Sequence, residues 1–128
     1  MAPLTARARE LLTGTNFAFI ADLMEDGWPH VSPVWIDLED DLILVNTAVG
    51  RHKERNMRRD ARVAISISPR DNPYEHLDIR GRVVRVIDGD EAVAHIDRLG
   101  RKYRDWERFP LAEGERRVSF LIEPIAVY

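Results

Sequence analysis

The chain has 128 residues, of which 45% are hydrophobic and 32% are charged, a size and balance typical of one globular domain with one core. It contains no cysteine, which excludes disulfides, thiol catalysis and thiolate metal sites. The formal net charge is −3, which argues against a general nucleic-acid-binding protein because such proteins are usually basic.

The chain also lacks the marks of a membrane or exported protein. No apolar run is long enough to span a bilayer, and the N-terminal residues lack the apolar centre of a signal peptide. A reducing cytoplasm is the simplest location for a chain without cysteine. We therefore expect a single cytoplasmic domain over residues 1–128 that does not enter a membrane.

The first half of the chain predicts a short helix followed by three strands. Leu4–Leu12 suits a helix, with Gly14 as a stop, and the apolar run Asn16–Met24 suits a strand. The Asp-Gly pair that follows predicts a tight hairpin turn. The next strands are Trp28–Asp37 and Leu42–Thr47.

The second half predicts a helix over Gly50–Arg59, a further long helix and three more strands. Alternating apolar residues predict strands over Ala61–Ser68 and Tyr74–Ile87, with a bend or bulge at Gly81. Apolar residues at helical spacing predict an amphipathic helix over Asp90–Arg104, and Arg116–Ile122 is the last clear strand, which Pro124 interrupts. We therefore expect a mainly β (α+β) domain, in which about six antiparallel strands form a closed or nearly closed barrel.

Two prolines characterise the second strand. Pro29 and Pro33 lie four residues apart. Because N–H directions alternate along a strand, both missing donors fall on the same side of the strand. That side cannot be fully hydrogen-bonded to a neighbouring strand. One interpretation is an edge strand protected against aggregation. The other is that the edge faces a ligand, to which backbone and side-chain groups are offered by Val31, Ser32, Val34 and Trp35.

The stretch 51–62 is basic within an acidic chain, with six Arg or Lys residues and two acids. Arg51 and Lys53 stand where a helix begins, a position that disfavours cations and attracts anions. Their placement is explained if a phosphate or carboxylate binds there, and Asn56, three residues after Lys53, could add an amide donor. Arg58 and Arg59 lie at the helix C-terminus, where cations are favoured without a ligand.

Catalytic and metal-binding motifs are missing. There is no Walker loop, GxGxxG or nucleophile elbow, and the four histidines show no metal-ligand spacing. His30 could donate a proton or contact a ring, although a lone histidine is more often a polar surface residue. We therefore predict no catalytic side chain and no metal ligand, so that a cofactor would carry the chemistry of any enzyme activity.

Three stretches taken together resemble a known family. They are DGWPHVSPVW at 26–35, NT followed by GRHKERNMRRDARV at 46–63, and NPYEHLDIRGRV at 72–83. Residues 5–128 resemble the split-barrel flavin/deazaflavin reductase superfamily, which includes proteins like pyridoxamine-phosphate oxidase. Within it, the chain is most similar to the actinobacterial F420-dependent reductases.

The resemblance implies a six-stranded antiparallel split β-barrel with short peripheral helices, which forms a homodimer with the cofactor in a groove between subunits. It implies that Arg51 and Lys53 bind the phosphate and acidic tail of the cofactor, with support from Asn56 and Arg58. The remaining residues that it assigns to the cofactor site are His30, Ser32, Pro33, Val34 and Trp35 on the ring-binding strand, Asn46 and Thr47 at the ring or ribityl chain, and Pro73 and Tyr74 from the second subunit.

The function that this resemblance implies is an F420H₂-dependent reductase that transfers a hydride to an unidentified small-molecule acceptor. An FMN-dependent enzyme of the pyridoxamine-phosphate oxidase type is the alternative enzyme, because both branches share the barrel. A carrier that binds a flavin, deazaflavin or haem without turnover is a second alternative. Nucleic-acid binding through Arg51–Arg62 is a third, which the acidic composition disfavours.

Overall fold

The structure is a computed structural model that describes residues 1–128. It contains three helices and seven strands. The helices are α1 (Ala6–Thr13), α2 (His52–Arg59) and α3 (Asp90–Arg104), and the strands are β1 (Ala18–Leu23), β2 (Pro29–Val34), β3 (Ile36–Glu39), β4 (Leu42–Ala48), β5 (Arg62–Ile67), β6 (Leu77–Asp88) and β7 (Arg117–Val127).

The strands form one antiparallel sheet in the order β2-β1-β5-β6-β7-β4-β3. The two edge strands, β2 and β3, are consecutive in the chain and are separated only by Trp35. A flat sheet would hold its edges far apart, so this connection requires the sheet to curl until its edges meet. The predicted mainly β split barrel is therefore confirmed.

The number of strands differs from the predicted six. The predicted strand Trp28–Asp37 divides at Trp35 into β2, which pairs with β1, and β3, which pairs with β4. Hydrophobic alternation continues through the division, because Val34 and Ile36 are both buried. The pattern therefore does not reveal that the chain passes from one edge of the sheet to the other.

The long pair β6 and β7 contains the irregularity expected at Gly81. The register shifts between Arg80 and Gly81, and Gly81 lies opposite Pro124. An added Cβ at Gly81 would come within 2.4 Å of Cγ2 of Ile122, so the close packing of β7 requires glycine here. The sequence predicted that Pro124 interrupts the last strand, and this prediction is wrong. The bulge accommodates Pro124, and β7 continues to Val127.

The core fills the inside of the curled sheet. Inward residues of the strands pack with Leu11 and Leu12 of α1 and with Met57 of α2. Helix α3 lies outside this cluster against β6, β7 and β4; its buried residues Ala92, Ile96 and Leu99 follow the predicted helical spacing. No helix has the length and apolar character needed to cross a membrane.

Candidate functional site

A cleft of about 310 Å³ opens beside the junction of β2 and β3. Six of the residues that the sequence assigns to a cofactor site line it: Pro33, Val34, Trp35, Asn46, Arg51 and Lys53. Four residues that it does not assign complete the lining: Phe17, Ile96, Phe109 and Arg117. Half of the lining residues are hydrophobic, so the cleft combines apolar surface with convergent polar groups, the two components of small-molecule sites.

The β2 wall of the cleft exposes backbone groups. Strand β2 pairs with β1 alone, which confirms that it is an edge strand. Nζ of Lys53 donates a hydrogen bond of 3.4 Å to the carbonyl oxygen of Pro33. Because the C=O and N of one strand residue point to the same side, the missing donor of Pro33 also lies on the free edge. Both interpretations of the two prolines therefore remain compatible with the structure.

Three aromatic side chains pack against Trp35. Its ring stacks on Tyr103, with centroids 5.5 Å apart and planes within 5°, and it meets Trp106 and Phe109 edge-on. Burial raises the pKa of the Tyr103 hydroxyl to about 12, so it remains protonated and donates a hydrogen bond of 2.6 Å to the carbonyl of Asn16. This packing gives the cleft one rigid aromatic wall.

Three cations face the same cleft: Arg51, Lys53 and Arg117. Burial lowers the pKa of Lys53, and the positive charge of Arg51 lowers it further. Burial and Arg51 likewise lower the pKa of Arg117, although its partner Glu115 opposes this effect. Each of these shifts means that the site disfavours the positive form, which an incoming anion would stabilise.

Arg117 is a cation of the cleft lining that the sequence did not single out. Only 5% of the residue is exposed; its Nε donates to Oδ1 of Asn46 at 2.9 Å and Nη1 to Oε2 of Glu115 at 2.9 Å. The guanidinium also lies over the ring of Phe109, 4.8 Å from its centroid. In the sequence Arg117 and the exposed Arg116 are neighbours at a strand start, and nothing there distinguishes them.

Asn46 is fixed by a buried polar network behind the cleft. Its Nδ2 donates to the carbonyl of Ala92 and to Oγ of Ser119, at 2.9 and 2.8 Å. Ser119 in turn contacts Nδ1 of His95 at 2.8 Å, and burial lowers the pKa of that imidazole. With its oxygen held by Arg117, Asn46 has a single orientation and positions the guanidinium rather than remaining free for a ligand.

Two of the predicted residues on α2 lie away from the cleft. Arg58 donates to Glu54 and to Asp88, and Glu54 in turn accepts a hydrogen bond of 2.8 Å from the Gly50 amide. Asn56 is buried and donates from Nδ2 to Oδ1 of Asp22 at 2.7 Å. These side chains hold the start of α2 and its contact with β1, so in one chain they support the cation site without lining it.

Three further predicted residues, His30, Ser32 and Thr47, also lie outside the cleft lining. His30 contacts Asp22 through Nδ1 at 3.1 Å. The hydroxyls of Ser32 and Thr47 are buried without a hydrogen-bond partner, and Thr47 is only 1% exposed. Thr47 points toward the core because the side chains of β4 alternate, so Asn46 alone of the predicted pair reaches the cleft.

The predicted contribution of a second subunit involves Pro73 and Tyr74. Both lie in the loop between β5 and β6 and are exposed, and Tyr74 is 90% exposed. Neither lines the cleft of its own chain. Their approach to the cofactor of another subunit therefore stays a prediction.

Known proteins match the chain in both sequence and structure. A family described as pyridoxamine 5'-phosphate oxidase matches residues 4–128, whereas no curated protein sequence matches. A solved structure named F420 reductase is 28% identical, with a TM-score of 0.83 over 94% of each chain.

Two more distant structures show the fold alone. A conserved hypothetical protein from Mycobacterium tuberculosis is 19% identical with a TM-score of 0.75, over 99% of this chain and 86% of the other. HupZ from Group A Streptococcus is 12% identical with a TM-score of 0.69, over 97% and 91%.

Proposed function

The chain belongs to the pyridoxamine 5'-phosphate oxidase family, and from that premise we propose that it is a reductase that uses the reduced deazaflavin coenzyme F420. Its family and its split barrel make it an oxidoreductase of the flavin and deazaflavin class. The proposal adds the cofactor and the direction of transfer, from F420H₂ to an organic acceptor. The 28% identity to a protein named F420 reductase supports this choice.

The observation that carries the proposal is the convergence of Arg51, Lys53 and Arg117 on a single cleft. Glu115 neutralises only one of these charges, through its 2.9 Å contact with Arg117. Three cations that raise one another's electrostatic energy form a site for an anion with more than one charge. The phosphate and acidic tail of F420 match this requirement.

The rest of the cleft suits a flat conjugated ring. Trp35 and Phe109 provide apolar surface, while the free edge of β2 provides backbone groups that could hold polar ring atoms. Bound F420H₂ would supply the hydride, and the chain would bind and orient it and exclude water from one side. No side chain lining the cleft is a histidine, carboxylate or hydroxyl, so we assign no catalytic residue and no metal.

We also propose that two copies of the chain form the complete site. A cleft of about 310 Å³ lies at the lower end of the range for ligand sites, so an extended cofactor needs further surface. The outer face of β1 and β2 exposes apolar residues: Phe19 is 50% and Val31 62% exposed. Exposed apolar faces of this kind mark interaction surfaces, and a second copy would bring its Pro73 and Tyr74 toward the cleft.

Parallel titrations with F420 and FMN test the cofactor assignment. We expect F420 to bind and its fluorescence to change, with weaker binding of FMN. Tightly bound FMN in the purified protein would contradict the proposal and favour the FMN-dependent alternative. Binding of F420 without turnover of quinones, enones or tetrapyrroles when F420H₂ is supplied would favour a carrier.

A further inference from the structure

Four buried side chains form a continuous chain of hydrogen bonds from the cleft to α3. Nε of Arg117 donates to Oδ1 of Asn46 at 2.9 Å, and Nδ2 of Asn46 donates to Oγ of Ser119 at 2.8 Å. Oγ of Ser119 lies 2.8 Å from Nδ1 of His95. At most 8% of any of these residues is exposed, so their polar atoms depend on one another for partners. We call this chain of hydrogen bonds the Arg117 relay.

The Arg117 relay leaves one end of the guanidinium for a ligand. Nε is held by Asn46 and Nη1 by Oε2 of Glu115, both at 2.9 Å, whereas Nη2 has no hydrogen-bond partner in the protein. Because the guanidinium is planar and its donors have a fixed geometry, the two bonds that are made determine where Nη2 points.

The direction of the bonds in the relay follows from one carbonyl group. The two N–H groups of the Asn46 amide point to the carbonyl oxygen of Ala92, which can only accept, and to Oγ of Ser119. A reversed amide would bring its oxygen against that carbonyl and its NH₂ against the Nε–H of Arg117. The hydroxyl proton of Ser119 then has no acceptor except Nδ1 of His95. Every donor in the relay therefore points away from the cleft, and His95 is the terminal acceptor.

His95 can be the terminal acceptor only as a neutral ring with its proton on Nε2. Burial lowers the pKa of this imidazole, which favours the neutral ring. Glu39 of β3 and Glu91 of α3 oppose the effect, whereas Arg98 of α3 and Arg85 of β6 add to it. A protonated Nδ1 would be a second donor facing the serine hydroxyl, whose own proton would then lack an acceptor.

We propose that His95 is a positioning residue for cofactor binding: as the terminal acceptor of the relay, it holds Asn46 with its oxygen toward Arg117 and thereby fixes the guanidinium at the anion site. This rests on the proposed function, in which Arg117 binds the anionic part of F420. His95 does not line the cleft and touches neither cofactor nor substrate. It acts at a distance because hydrogen bonds that run in one direction polarise one another.

Two substitutions of His95 test this role. His95→Asn can place an acceptor oxygen near the position of Nδ1, because both atoms are bonded to Cγ, whereas His95→Leu offers no acceptor. In fluorescence titrations with F420 at neutral pH, we expect His95→Asn to retain most of the affinity and His95→Leu to lose about fivefold, the scale of one hydrogen bond. Circular dichroism verifies that both are folded. Unchanged affinity in His95→Leu, or equal losses in the two variants, would overturn the proposal.

Ser119→Ala breaks the relay in its middle and provides a second variant. We expect a similar loss of affinity, and the double variant Ser119→Ala, His95→Leu should lose no more than either single variant. Residues that act through one hydrogen-bonded network are non-additive in this way, whereas independent residues have additive effects. Additive losses in the double variant would therefore show that His95 does not act through Ser119.

Spectra of the ligand-free protein separate this proposal from the proposed function. In ¹H–¹⁵N spectra we expect neutral His95 to carry its proton on Nε2. The Nε–H of Arg117 should exchange slowly with water in the wild type and in His95→Asn, and at least tenfold faster in His95→Leu. An Nδ1–H tautomer, or equal exchange rates, would overturn the relay. If these spectra are as expected but the wild type does not bind F420, the proposed function is wrong and the positioning of Arg117 by His95 stands.

Discussion

Nε of Arg117 donates a hydrogen bond of 2.9 Å to Oδ1 of Asn46, and both residues line the cleft. Because Asn46 is held in turn by Ser119 and Ala92, the guanidinium has a fixed position. A cation that is already immobilised loses little entropy when an anion binds. Arg117 is therefore the best organised of the three cleft cations.

We expect Arg117→Met to weaken F420 binding at least tenfold, on the scale of a lost hydrogen bond between charged groups. The control is Arg116→Met, which removes the same charge from an exposed neighbour and should change the affinity little. Fluorescence titration measures both, and circular dichroism verifies that the variants are folded. Equal effects of the two substitutions would mean that net charge, rather than position, governs binding.

Lys53→Ala should weaken F420 binding by about 1–3 kcal/mol, since it removes a donor of a charge-assisted hydrogen bond. Arg59→Ala should cost less, because Arg59 already donates to the carbonyl of Leu23 and to Oδ1 of Asn56. Fluorescence titration of both variants with F420 under the same conditions compares the two losses of affinity. Unchanged affinity in Lys53→Ala would show that this lysine does not contact the cofactor.

Phe19→Lys should convert a dimer to monomers and reduce F420 binding in parallel. Phe19 lies between Pro33 and Ser66 on neighbouring strands, so the new charge would lie in the middle of the proposed interface. Val84→Lys places the same charge at a 47% exposed position on β6 and should leave the dimer intact. Sedimentation velocity reports the outcome, and a wild-type monomer that binds F420 fully would refute the two-copy site.

The free energy of unfolding should rise between about pH 8 and pH 10.5, because the buried Lys102 loses its proton more readily in the folded chain. Burial lowers the pKa of Lys102 to about 8 from its ordinary value of 10.5, so between these values the unfolded chain binds more protons than the folded one. Across that window the free energy of unfolding should therefore increase, by on the order of 3 kcal/mol. Urea unfolding of wild type and Lys102→Met at several pH values isolates this contribution, and parallel pH curves would contradict it.

Gly81→Ala should destabilise the fold by about 1–3 kcal/mol, the usual cost of overpacking. The new Cβ would lie 2.4 Å from Cγ2 of Ile122 and 3.2 Å from Cγ2 of Val63. Gly100→Ala is the matched control, because its Cβ would meet Trp106 at an ordinary 3.5 Å. Chemical denaturation compares them, and a stable Gly81→Ala variant would show that β7 can shift to make room.

Local patterns in the sequence predicted much of the fold. An apolar run predicted β1, alternation predicted β5 and β6, and helical spacing predicted α3 over Asp90–Arg104. Periodicity is informative because a residue's face in a strand or helix depends only on its position along the chain. Helix polarity likewise separated Arg51 and Lys53, which line the cleft, from Arg58, which does not.

The sequence by itself thus determined the class of fold, the edge character of β2 and the two cations at the start of α2. Only the tertiary structure decided that Trp35 divides one predicted strand between opposite sheet edges, that Thr47 turns inward, and that Arg117 joins the cations. It also decided that Asp22 joins β1 to His30 and Asn56. These features depend on contacts between residues far apart in the chain, which periodicity and local charge do not encode.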